Sequence, residues 1–120
     1  MKTTIIILFL AFIITSCSVF GSLTSYTSIK PNESFVLGNN DHGTFKVRLK
    51  NVSNHILKIV MAPITGGTHS PVFVKPNETI KVKADSNTAL IIENKSNEAA
   101  SVDLYVTGDT GLSMGYKNQQ

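Results

Sequence analysis

Phe45-Lys46-Val47-Arg48-Leu49-Lys50 places an apolar residue at every odd position and a cation at every even one. A strand sends successive side chains to opposite faces, so this stretch has one dry face and one wet face. Ile80-Lys81-Val82-Lys83-Ala84-Asp85 repeats the alternation, and Ser101-Val102-Asp103-Leu104-Tyr105-Val106 shows it a third time. Strands wet on one side only suit two sheets packed face to face. Two other runs, 56–61 and 89–92, are apolar at nearly every position. They predict central strands covered on both sides, or a patch that meets a partner. No ten-residue segment after Cys17 shows a helical apolar stripe, so the predicted class is all-β.

Turn chemistry separates these runs and exposes a repeat. Ile29-Lys30-Pro31-Asn32-Glu33-Ser34 matches Val74-Lys75-Pro76-Asn77-Glu78-Thr79. Some 20 residues further on, Asn51-Val52-Ser53-Asn54 matches Asn94-Lys95-Ser96-Asn97. Proline presets φ for a turn and asparagine tolerates left-handed backbone. Each unit therefore reads as turn, strand, loop, strand, hairpin turn, strand. Two such units facing each other predict a small antiparallel sandwich of seven or eight short strands over residues 29–117, with 118–120 a polar tail. This pattern resembles immunoglobulin-like and fibronectin-like sandwiches, without the disulfide or core tryptophan of antibody domains. The same turns create Asn-x-Ser/Thr sequons at Asn32, Asn51, Asn77 and Asn94. Turn chemistry accounts for these asparagines without glycan.

The N-terminus reads as an address. Lys2 gives a short basic start, and residues 5–14 form an apolar run of ten, too short to span a bilayer and suited to a signal peptide. Ile14-Thr15-Ser16-Cys17 ends it: an aliphatic residue, two small residues and the only cysteine of the chain. These four residues resemble the lipobox of bacterial lipoproteins. The resemblance implies a signal peptide of residues 1–16, a diacylglyceryl group on the Cys17 thiol, cleavage before Cys17, and a tether over 17–28. It also implies export and lipid anchoring to the cell envelope. With Ser18 rather than Asp after the cysteine, the expected destination is the outer membrane, on its periplasmic side. The alternative is an ordinary secretory signal cut after Ser16 or Gly21. One cysteine cannot make an internal disulfide, and once lipidated it leaves the folded domain without a thiol.

From Cys17 onward, about a hundred residues remain, enough for one domain. Ten Lys and Arg face eight Asp and Glu there, a small imbalance. The lysines alternate along strands as on the solvated face of a sheet. A nucleic-acid platform needs clustered cations with stacking aromatics, and the linear sequence shows neither. Two loops are candidate ligand grips. Gly38–Gly43 offers Asp41 and His42, and Gly66–Pro71 offers Thr68 and His69 after two glycines. Both compositions equally suit ordinary loops. His42, His55 and His69 show no paired metal-ligand spacing, and no Gly-x-Ser-x-Gly elbow or paired carboxylates point to catalysis. No metal and no cofactor are expected.

The expected function is that of a membrane-anchored, non-catalytic binding or structural module acting through protein contacts. It would use the apolar runs or the last strand, where Leu112, Met114 and Tyr116 fall on one face. The alternative is binding of a small molecule or glycan by loops 38–43 and 66–71.

Overall fold

A computed structural model describes residues 21–118, and the expected signal segment and Cys17 lie outside the described residues. Nine strands follow in order: β1 Leu23–Ile29, β2 Glu33–Leu37, β3 Phe45–Asn51, β4 Leu57–Pro63, β5 Val72–Val74, β6 Thr79–Ala84, β7 Thr88–Asn94, β8 Ala100–Gly108 and β9 Met114–Asn118. They form two antiparallel sheets. Sheet A has the order β1-β8-β3-β6, and sheet B the order β5-β4-β7-β2-β9. The all-β sandwich expected from the alternation is present.

The repeat organises it. Exchanging β1–β4 for β5–β8 turns the order of sheet A into the first four strands of sheet B. Each unit thus supplies two strands to each sheet, and β9 is an addition at the β2 edge. The first strand lies beside the eighth, as in the eight-stranded jelly roll of two Greek keys. An immunoglobulin domain instead keeps its first two strands in one sheet. The Asn51–His55 and Asn94–Glu98 turns are accordingly not hairpins. β3 and β4 lie in different sheets, as do β7 and β8, so both turns cross the sandwich. Only β4 and β5 are consecutive and paired, and their connection contains the Gly66–Pro71 loop.

The core closes between the sheets. Phe45, Val47 and Leu49 of β3 and Val102, Leu104 and Val106 of β8 are buried on one side. Phe35, Leu37, Leu57, Ile59, Leu90 and Ile92 of sheet B join the same cluster. β1 enters sheet A six residues before the domain start read from the sequence. Its alternation is hard to see because Ser25 and Thr27 occupy inward positions beside Ile29. Their hydroxyls satisfy each other at 2.7 Å. Among the described residues both sheets and the core cluster lie within 23–118, so a chain starting at Gly21 carries all nine strands and that cluster.

Candidate binding surfaces

Because successive strands alternate in direction, the connections segregate to the two ends of the sandwich. One end holds the repeated turns. Lys30-Pro31-Asn32-Glu33 closes with Glu33 N–H donating to Lys30 O at 3.2 Å, and Lys75-Pro76-Asn77-Glu78 does the same at 3.0 Å. Asn32 and Asn77 take φ of 57° and 65°, the left-handed region that asparagine tolerates at the third position of a turn. Asn51 and Asn94, by contrast, are fully buried. Asn94 Nδ2 donates to Ile29 O (2.9 Å) and Glu98 O (2.8 Å), and its Oδ1 accepts from Ser96 N–H and Oγ–H. Asn51 repeats this with Val74 O, His55 O and Ser53. These side chains staple each crossing turn to the chain entering the neighbouring strand. A glycan cannot share an Nδ2 that is buried and donating, so two of the four sequons are closed by the fold. The two turns meet where His55 Nε2 lies 2.9 Å from Glu98 Oε1.

The other end gathers both candidate ligand loops. Asn87 links them: its N–H donates to His42 O, and its own carbonyl accepts from Ile64 N–H. His42 is not available to a ligand. Its ring is buried, with Nδ1 2.6 Å from Gly43 O and Nε2 3.0 Å from Thr88 O, and it packs edge-on against Phe45. It braces the β2–β3 connection against β7. Asp41, Thr68 and His69 are exposed. The β8–β9 connection is laced to the same loop. Asn40 Nδ2 donates to Gly111 O, and its Oδ1 accepts from Ser113 N–H. Asp109 accepts from Gly43 N–H at 2.6 Å and Gly111 N–H at 2.8 Å. Those two backbone donors, Gly43 first, with His42 nearby, hold the Asp109 carboxyl below the ordinary aspartate range. Among the described residues, no group of three His, Cys, Asp or Glu side chains is placed to hold a metal ion.

The outward faces differ sharply. On sheet B the two apolar runs pair, with Val60 opposite Ile91, Ile91 opposite Val36, and Val36 opposite Gly115 of β9. This apolar row leads to an open edge, since β9 pairs only with β2 among the described residues. β9 has no counterpart in the four-stranded sheet. Met114 and Tyr116, 42% and 56% exposed, therefore overhang the core, with Tyr116 resting edge-on against Phe35 at 5.5 Å.

Sheet A presents cations. Lys46, Arg48 and Lys50 of β3 point outward beside Lys83 and Lys81 of β6, with Lys46 opposite Lys83 and Arg48 opposite Lys81. Arg48 lies over the Tyr105 ring at 5.1 Å. A shallow trough of about 460 Å³ runs between these side chains and Thr107. This cluster was hidden in the sequence because pairing brings together segments that lie more than 30 residues apart.

No family model matches the sequence, and no curated protein matches it. Among solved structures, the chain is similar to the capsular polysaccharide assembling protein CapF of Staphylococcus aureus. The match has 19% identity and a TM-score of 0.56, over 72% of this chain and 24% of CapF. CapF bound to the inhibitor 3-isopropenyl-tropolone gives a TM-score of 0.55 at 19% identity, over 70% of this chain and 23% of that one. The Yersinia pseudotuberculosis-derived mitogen matches at 18% identity and a TM-score of 0.50, over 79% of this chain and 96% of the mitogen. This chain spans about a quarter of the length of CapF. At these identities the likeness is one of fold.

Proposed function

We propose that this protein is an exported, lipid-anchored, non-catalytic binding module whose protein partner adds a strand to β9. The open β9 edge carries the reading. An unpaired strand edge offers a ladder of backbone donors and acceptors, and natural proteins shield such edges with lysines, short strands or bulges. β5 is three residues long, β6 carries Lys81 and Lys83, and β1, the remaining edge, follows the expected Cys17 anchor by only six residues and is polar along most of its length. β9 carries a lysine too, Lys117, but it combines five residues without proline, the exposed Met114 and Tyr116, and an apolar row behind Gly115. An added strand would gain main-chain hydrogen bonds and lay alternate side chains against the exposed Met114 and Tyr116 of β9. The anchor expected at Cys17 leaves only residues 18–22 before β1, which keeps such a partner close to the membrane.

The test is extraction from native membranes in mild detergent, with recovery of the bound partner and hydrogen exchange of the complex. Amides of residues 114–118 should become protected in the complex. Met114→Lys with Tyr116→Lys should release the partner with only a modest drop in melting temperature, both side chains being about half exposed and Tyr116 giving up its contact with Phe35. Partner recovery unaffected by that double variant, or no added protection on β9, would remove the reading.

A further inference from the structure

The net charge of the domain conceals a strong asymmetry. Within its strands the outward face of sheet A holds five cations, Lys46, Arg48, Lys50, Lys81 and Lys83, against a single carboxylate, Asp103, which stands opposite Lys50 on β8; Asp85 lies just past the end of β6. The rest of the chain from Cys17 onward then has five cations against seven carboxylates. Like charges placed directly opposite each other destabilise a sheet, yet Lys46 faces Lys83 and Arg48 faces Lys81. Among the described residues none of the four lysines has a carboxylate within ion-pair distance, and Arg48 packs on Tyr105 instead. Asp103 opposite Lys50 offsets only part of this repulsion, and the Lys46–Lys83 and Arg48–Lys81 pairs have no carboxylate between them.

We propose that this face docks onto an anionic phospholipid bilayer, the same surface to which the N-terminus is expected to be tethered. Three observations favour a bilayer over a linear polyanion. The cations form a grid, spaced by about 7 Å along β3 and about 5 Å across to β6, which suits a plane of head groups. The opposite signs of the face and of the remainder give the domain a charge moment, which turns the face toward any flat negative surface. Two tyrosines border the grid on its β8 side: Tyr105, 38% exposed, and Tyr26, 81% exposed on the edge strand β1. Tyrosine is an amphipathic ring that sits at head-group level.

The tether fits the same orientation. β1 is the edge of sheet A, and Leu23 follows Cys17 by six residues, a reach of at most about 20 Å. A lipid on Cys17 could therefore enter the bilayer on which sheet A rests. The expected diacylglyceryl anchor supplies attachment, and a basic surface beside it adds electrostatic attraction that sets how the domain lies on the bilayer. The choice of a bilayer rests on the anchor reading. The binding measurement is made without the anchor, so each can fail alone.

The assay is co-sedimentation of the lipid-free chain beginning at Gly21 with phosphatidylcholine vesicles, with and without phosphatidylglycerol. Binding is expected only to the phosphatidylglycerol vesicles, and it should fade as salt is raised. Lys81→Gln with Lys83→Gln should weaken partition by about thirtyfold, at roughly fivefold per cation removed. Lys95→Gln with Lys117→Gln removes the same charge away from this face and should change partition by less than about twofold. Equal losses in the two double variants would overturn the assignment to sheet A. Equal binding to both vesicle types would overturn the electrostatic basis. Displacement from vesicles by single-stranded DNA or dextran sulfate at a lower charge concentration than the lipid itself would overturn the bilayer in favour of a linear polymer. Intact mass of the membrane-extracted protein decides the Cys17 anchor separately.

Discussion

Truncating Asn94 to alanine should be among the most damaging single changes at the surface-turn end of the sandwich. The side chain is fully buried, and it makes two short donor bonds, to Ile29 O and Glu98 O, and accepts two more from Ser96. A further contact to Lys30 O is longer, at 3.2 Å. A typical intramolecular hydrogen bond contributes about 1 kcal/mol net, and a buried group left without its partner costs more. Four bonds lost together put the expected destabilisation at about 3–5 kcal/mol. That is a large part of the roughly 5–15 kcal/mol that holds a domain of this size. For a domain of about 100 residues, each kcal/mol lowers the melting temperature by about 4–8 °C, so a drop of at least about 12 °C is expected. Asn51→Ala removes the equivalent bonds, without a counterpart to the Lys30 contact, and should cost the same or slightly less. Urea and thermal unfolding of the chain from Gly21, followed by circular dichroism, measures both. An unchanged urea slope would show that the loss is one of stability and not of cooperativity. If Asn94→Ala cost under about 1 kcal/mol, the turn would be held by its backbone alone. The stapling role given to this repeated asparagine would then be wrong.

Three other expectations follow from the same geometry. Gly108→Ala should be much worse than Gly66→Ala. Both have positive φ, but a Cβ at Gly108 would lie 2.8 Å from Thr44 O, whereas at Gly66 it meets nothing within 4 Å. Gly66→Ala should cost about 1–2 kcal/mol of backbone strain. Gly108→Ala should exceed it by an amount that the same unfolding assay reads as the steric clash alone. Because the native Asp109 carboxyl is held below its ordinary value, its contribution is present above the unfolded-state value. It is lost as pH falls through the still lower native value. Carboxyl chemical shifts of Asp109 should titrate below those of exposed aspartates, and Asp109→Asn should flatten the acid limb of stability. Expressed in a glycosylating host, folded secreted protein should carry glycan at Asn32 and Asn77 and none at Asn51 and Asn94, as read by glycopeptide mass. Glycan on folded protein at either buried position would contradict the burial described above.

The sequence by itself determined the class of structure and its internal repeat. Alternation in β3, β6 and β8 decides which side chains are dry, because a strand has a period of two and the core excludes Lys46, Arg48 and Lys81. The Pro-Asn turns are equally local, since proline and left-handed asparagine act within four residues. What only the tertiary structure decided is everything that depends on which strand lies beside which. Sequence cannot tell a hairpin from a crossing at Asn51, because the two differ in where β4 pairs and not in the turn residues. His42 reads as a loop ligand but is buried, because the carbonyl of Thr88 arrives from a strand 46 residues away. The cations of β3 and β6 look like two ordinary wet faces until pairing makes them one. Local chemistry writes the strands and turns, and long-range pairing, which no short window contains, writes the surfaces.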